Sequence, residues 1–422
     1  MKIKNPFLLY LPFLFIYILV ILLIHKDVLK GDEVRYMMFA ENLLEGYYSP
    51  PNELNLWNGP AYPLFLSPFV KFGVPLLGIK VFNALFQYLS IVFLFYAIKH
   101  ISDFKQARFF GFVWAAYYVS WQTMPYILTE SISIFFIALL SYFIVKSYSR
   151  EKNRNHLFAG ITLGLLALTK VIFAYVILTC LAFYAIANLV ALLSKRRLFT
   201  KEITILLVAF IPLIPYLLYT YKLTDKVLYF ANSGGMSLYF MSTPYEGEFG
   251  EWNTANFRGY CDGGIQPCNA DFFLKNHKEN FDYIYRAVGV ERDRRFKEIA
   301  IKNIKKSPIK FLRNCLANQG RMWFRYPFSY RFQNDLYLGI AFPNAVLFTV
   351  FLYVIFFWLI NSKKIKRGLN LIFILLMVYL GGSTLLSAYP RQLYVVAPMI
   401  LILAAFAFHK SIKMTFSLKS DV

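Results

Sequence analysis

The chain has 422 residues, of which 58% are hydrophobic and only 16% charged, and its mean hydropathy is +0.49. A soluble domain carries about 25% charged residues, so the excess apolar surface has to face lipid and an ordinary soluble protein is excluded. The net charge of +22 does not mark a nucleic-acid binder, because the basic residues fall in short clusters between apolar runs, plus one long polar segment.

Apolar runs of about 20 residues, enough to span a bilayer, fall near 7–25, 75–98, 109–128, 131–146, 157–171, 172–193, 203–221, 336–361, 369–387 and 392–408. No small-residue cleavage site follows the first run, which therefore reads as an uncleaved anchor. After it comes G-D-E-V-R-Y-M-M-F-A-E-N-L-L-E-G, holding Asp32 and Glu33, and then W-N-G-P-A-Y-P. Glu130, the only acid between Asp103 and Glu151, opens the fourth run. Lys170 is the only Lys, Arg, Asp or Glu between Arg154 and Lys195, and Arg391 caps the last run.

Counting Lys and Arg in alternate connections gives orientation. One side collects Lys2 and Lys4, Lys99 to Arg108, Lys146 to Arg154, Lys195 to Lys201, Lys363 to Arg367 and Lys410 to Lys419. Both termini are then expected in the cytoplasm, with the long segments 26–74 and 222–335 outside. The expected fold is all-α: a polytopic transmembrane helical bundle of about ten spans with a partly helical outer loop domain. It divides into an N-terminal transmembrane module (1–221, including the first outer loop 26–74), a large extracytoplasmic loop (222–335) and a C-terminal transmembrane module (336–422). In that loop, the basic and apolar residues alternating helically over 271–325, among them Phe296, Ile299, Ala300, Ile304, Phe311 and Leu312, suggest helices lying on the membrane surface.

Charges at membrane depth are expensive and are functional suspects by default. Topology puts Asp32, Glu33, Glu130, Lys170 and Arg391 at one outer level. Each has a competing reading: snorkelling for Lys170 and Arg391, a helix-dipole partner for Glu130 and an N-cap for Asp32. Cys180 lies in an apolar run and reads as a small inert hydrophobe. Cys261 and Cys268 bracket C-D-G-G-I-Q-P-C in the outer loop and are expected to pair if that compartment is oxidising. The five histidines are scattered and form no zinc pattern.

The segment G-D-E-x-x-Y-x-x-x-A-x-N-L-L-x-G-Y followed by W-N-G-P-A-Y-P-L-F resembles the first outer loop of the integral-membrane GT-C glycosyltransferases. The branch it resembles contains the dolichyl-phosphate-mannose–protein mannosyltransferases and the aminoarabinose transferases. L-T-E-S-I-S-I at 128–134, L-A-L-T-K at 166–170, S-G-G-M-S-L-Y at 233–239, I-K-K-S-P-I-K-F-L at 304–312, and Arg391 with Pro398 continue the resemblance in order.

The resemblance implies an enzyme that moves a sugar from a polyprenyl-phosphate donor to an acceptor hydroxyl, on a glycan, lipid or protein, outside the cytoplasm of an inner (plasma) membrane. It implies catalytic acids at Asp32, Glu33 and Glu130, with Asp32 as base or orienter. Lys170 and Arg391, with Arg321 or Arg325 in addition, are the candidate donor-phosphate ligands, and Tyr36, Trp57 and Tyr62 the candidate substrate contacts. It also allows a divalent metal ion on Asp32 and Glu130. The chemistry agrees: a sugar phosphate already has a good leaving group, so the needs are a carboxylate for the hydroxyl proton and positive charge for the departing phosphate. One departure stands out. The aminoarabinose transferases carry a Glu-Lys pair before Pro-Pro, and here Asn58-Gly59 precede Pro60. A transporter or flippase of lipid-linked sugars, and a polysaccharide polymerase or ligase, are the alternative readings.

Overall fold

The computed structural model describes residues 4–149, 154–253, 270–330, 336–362 and 365–420, and every regular element among them is helical. Six helices are long and apolar enough to cross a membrane: Leu76–Ile101, Glu130–Ser147, Ile172–Leu193, Leu338–Asn361, Arg367–Leu385 and Pro390–Ile412. A seventh arises if Thr200–Val208 and Phe210–Thr224, bent by 41° at their junction, are one broken span. Three shorter helices occupy the remaining apolar runs: Leu11–Ile24, Phe104–Ala116 and Arg154–Thr169.

The run expected as one span over 109–128 is interrupted. Its helix stops at Ala116, a 3₁₀ stretch follows over Tyr118–Thr123, and the next α-helix begins at Glu130. The sequence Y-Y-V-S-W-Q-T-M-P explains the break, since aromatic and β-branched residues are weak helix formers and Pro125 disfavours helix before it. Gln87 compensates within the bundle, donating from Nε2 to the Ser120 hydroxyl at 3.0 Å.

The helix ends that matter are set locally. Gly31, at φ +55° and ψ −117°, adopts a conformation that suits glycine and swings the chain into Asp32–Leu44. Asp32 and Glu33 then fall in that helix's first turn, where carboxylates complement the dipole. Glu130 holds the same place in its own helix. The backbone breaks between Arg154–Thr169 and Ile172–Leu193, leaving Lys170 at the corner. Pro390 starts the last helix at a position that needs no N–H, and Arg391 follows it.

The spans share one large apolar core, and the segment beyond Thr224 has a small core of its own. There Gly234–Met241 packs against Gly289–Lys306, with Met236, Tyr239, Phe240, Phe273, Phe281 and Phe296 buried. This changes the reading of the basic segment. Phe296 and Ala300 are buried inside that small core, so their helix does not offer this apolar stripe to lipid. The exposed stripe belongs to Pro308–Phe324, where Ile309, Leu312 and Leu316 recur at helical spacing. The pairing expected of Cys261 and Cys268 lies outside the described residues. Cys180 and Cys315 are buried and free.

Candidate active site

One cavity of about 260 Å³ collects the helix ends just described. Asp32, Glu130, Lys170, Arg391, Tyr36 and Trp57 all line it. The ionic contacts form a chain. Asp32 Oδ2 receives Arg391 Nη1 at 2.8 Å, and Asp32 Oδ1 receives Arg35 Nη2 at 2.7 Å. Glu130 Oε1 receives Lys170 Nζ at 2.9 Å and lies 4.0 Å from Arg391 Nε. Three cations thus surround two carboxylates. Burial alone would raise the Asp32 carboxyl, but the guanidinium groups of Arg391 and Arg35 outweigh it and hold the group below its ordinary value.

Arg35 drew no notice in the sequence reading, although it stands three residues after Asp32, the spacing at which helical side chains meet. Its Nε donates to Asn58 Oδ1 at 2.7 Å, and its guanidinium lies 5.2 Å from the Trp57 ring centre. Asn58 Nδ2 in turn donates to the Tyr36 hydroxyl at 3.0 Å. The residue after it has no room for a side chain, because a Cβ at Gly59 would sit 1.9 Å from the Leu168 carbonyl oxygen. The loop of Asn58 is therefore pressed against the helix end that carries Lys170.

Three expected site residues do not line the cavity, and each has another occupation. Glu33, expected as a catalytic acid, is held by internal contacts away from the cavity. Its Oε1 accepts the Ile127 N–H at 2.8 Å, its Oε2 the Lys30 N–H at 3.0 Å, and buried Lys80 approaches within 3.8 Å. The reason is helical geometry, since neighbours point about 100° apart and Asp32 takes the cavity side. Lys80 was hidden in the apolar run 75–98 and went unremarked.

Arg321, expected as a phosphate ligand, is fully buried and does not line the cavity. It donates to the carbonyls of Ala388 and Phe249, both at 3.1 Å, and to Asn318 Oδ1 at 2.7 Å. Asn318 also holds the Ser383, Thr384 and Leu386 carbonyls, so the pair fixes the turn that delivers Arg391. Tyr62 is buried with its ring edge-on to Tyr36 at 5.2 Å and stacked on Phe65. It supports a cavity residue without reaching the cavity.

Among the described residues no group of three or more His, Cys, Asp or Glu could hold a metal ion, and both oxygens of Asp32 already face guanidinium groups.

Residues 58–216 match the dolichyl-phosphate-mannose-protein mannosyltransferase family, within the group that the motifs resemble. No curated protein matches the sequence. Among solved structures, ArnT from Cupriavidus metallidurans bound to undecaprenyl phosphate aligns over 96% of this chain and 78% of its own, at 12% identity and a TM-score of 0.40. The same protein in the apo state gives 11% identity and a TM-score of 0.39 over 94% and 77% of the two chains. The Archaeoglobus fulgidus oligosaccharyltransferase tethered with an acceptor peptide aligns at 14% identity with a TM-score of 0.41. That alignment takes in 94% of this chain and about half (49%) of the oligosaccharyltransferase.

Proposed function

We propose that this membrane protein is a glycosyltransferase that moves a sugar from a polyprenyl-phosphate donor to an acceptor hydroxyl on the extracytoplasmic side. The observation that carries the reading is the convergence of Asp32, Glu130, Arg35, Lys170 and Arg391 on one cavity that also has an apolar wall, Val171 and Ile172. With two carboxylates against three cations, the cavity has one positive charge in excess. A sugar–polyprenyl phosphodiester carries one negative charge and would balance it.

The reaction follows from these groups. The acceptor oxygen attacks the anomeric carbon while the bond from that carbon to the phosphate oxygen breaks. The hydroxyl proton passes to Asp32. The phosphate leaves with the electron pair of the broken bond, and Lys170 and Arg391 stabilise its growing charge. A carboxylate gripped by two guanidinium groups is a poor base. Donor phosphate competes for Arg391, and drawing that cation away returns basicity to Asp32 when the donor is seated. Glu130 holds Lys170 and Arg391 in place meanwhile.

A transporter keeps its charged site near the membrane midplane, whereas these charges stand in first turns and at a helix corner. The test is transfer of radiolabelled sugar from polyprenyl-phosphate donors by the purified protein. Asp32→Asn should lower the rate by roughly 10²–10⁴-fold without weakening undecaprenyl phosphate binding. Near-normal turnover in that variant would end the base assignment.

A further inference from the structure

The cavity continues into a second chamber of about 180 Å³. Asp32, Arg35, Trp57 and Arg391 border both, while Trp252 and Tyr389 belong to the second alone and Glu130, Lys170, Val171 and Ile172 to the first alone. Lys170 and the aliphatic wall thus belong to the first chamber and the Trp252–Tyr389 aromatic wall to the second, while Ser233, Ser237, Ser387 and Gln392 border both.

We propose that the second chamber is the acceptor subsite and that it takes a saccharide, seated against Trp252 and Trp57 with one hydroxyl at Asp32. The proposal rests on the glycosyl-transfer reading above. Two substrates that react at one carboxylate have to reach it from different directions, and these two chambers meet there. The indole rings of Trp57 and Trp252 stand edge to face, 6.4 Å apart at 85°. Such rings offer flat apolar surface to the C–H face of a pyranose, leaving its hydroxyls at the ring margin for hydrogen bonds.

Unused hydrogen-bonding capacity is present for those hydroxyls. The Ser233 and Ser237 side chains line both chambers and make no hydrogen bond to protein among the described residues. Gln392 uses its Oε1, which accepts the Tyr389 N–H at 2.6 Å, while its Nε2 has no protein partner among the described residues.

The wall is also preset. Trp252 donates its N–H to the Ser387 hydroxyl at 2.7 Å, and its carbonyl accepts the Tyr389 hydroxyl at 3.0 Å. Tyr389 is therefore a positioning residue that ties Trp252 to the segment bearing Arg391. The described residues contain no strand whose edge could hold an extended peptide. The chamber also lacks the aliphatic side chains that acyl chains require.

Saturation-transfer NMR on the full chain in lipid nanodiscs reads binding of soluble probes. These are the methyl glycosides of glucose, galactose, mannose and N-acetylglucosamine, and a blocked Ser/Thr hexapeptide. At least one glycoside should bind. Trp252→Ala should weaken it about ten-fold, the scale of one lost aromatic face. Trp252→Phe should restore most of the affinity, and Ser237→Ala should weaken binding without touching the packing of the rings. Undecaprenyl phosphate binding, measured separately, should be unchanged in both Trp252 variants. Binding of the peptide alone, of no glycoside, or of a glycoside indifferent to both Trp252→Ala and Ser237→Ala overturns the proposal. Failure of the wild-type protein to bind undecaprenyl phosphate would overturn the donor reading instead, and it is seen in a different measurement.

Discussion

Replacing Arg391 by Met keeps an unbranched apolar stem and removes a cation that contacts both acids. Its contact with Asp32, at 2.8 Å, would be worth about 1.5 kcal/mol at the dielectric of water and about 6 kcal/mol at an effective dielectric of 20. The Arg391 side chain is 41% exposed and that of Asp32 26%, so solvent screening places the value near the lower end, about 1.5–2 kcal/mol. Losing that contact should raise the Asp32 carboxyl. The sign follows from the native state. Asp32 is held below its ordinary value, so its carboxylate form, and with it kcat/KM, persists to low pH and fails only as pH falls through that depressed value. In Arg391→Met the acidic limb should therefore move to higher pH. The lost charge-assisted hydrogen bond to phosphate, about 1.5–3 kcal/mol, should also weaken undecaprenyl phosphate binding by roughly 10–150-fold. Sugar-transfer rates across pH and a direct binding titration check the two effects. An unmoved acidic limb together with unchanged affinity would refute the placement of Arg391 between the acid and the phosphate.

Lys170→Met should weaken undecaprenyl phosphate binding in the same titration while leaving the acidic limb in place, because Lys170 contacts Glu130 and not Asp32. Glu33→Gln should lower the thermal unfolding temperature, since a buried pair broken on one side typically loses about 3–5 kcal/mol. The double variant with Lys80→Met should recover part of that loss, and simple additivity would argue against the pairing. Gly59→Ala should destabilise the protein by at least the roughly 1–3 kcal/mol of an overpacked site and weaken undecaprenyl phosphate binding. A variant that melts and binds normally would remove the proposed link between that loop and Lys170. In a background without native cysteines, an impermeant maleimide applied from outside should label Glu246→Cys and spare Lys195→Cys. The reverse pattern would invert the topology.

The bundle was legible because lipid-facing helices have to be apolar along their length, and that shows as runs in the sequence. Span ends were harder to read. The run through Trp114 and Tyr118 looked continuous by hydropathy, yet local propensity and Pro125 divide it. In the site, charge scarcity picked out Glu130, Lys170 and Arg391, because an isolated charge near the end of an apolar run has few structural reasons to be there. The same rule missed Lys80, whose partner Glu33 lies far away in sequence. Arg35 sat unnoticed within a motif read for its acids. Arg321 and Phe296 show a further limit. Their identities suit a phosphate site and a membrane surface, and only the tertiary fold reveals that a turn and a small second core hold them.

The Asn58-Gly59 pair illustrates how a departure from a motif can be part of a consistent local arrangement. At position 59, contact with the Leu168 carbonyl leaves no space for a lysine or any other side chain. Two cations nevertheless stand beside that contact. Lys170 lies two residues beyond the contact, and Arg35 is held to the same loop through Asn58. Glycine at 59 thus lets two backbones approach closely, and the approach gathers the loop, the corner of Lys170 and the arginine of the first motif around one cavity. Exchanging Gly59 for lysine would not simply restore the missing motif, because the new side chain would have to displace the helix end that already carries Lys170.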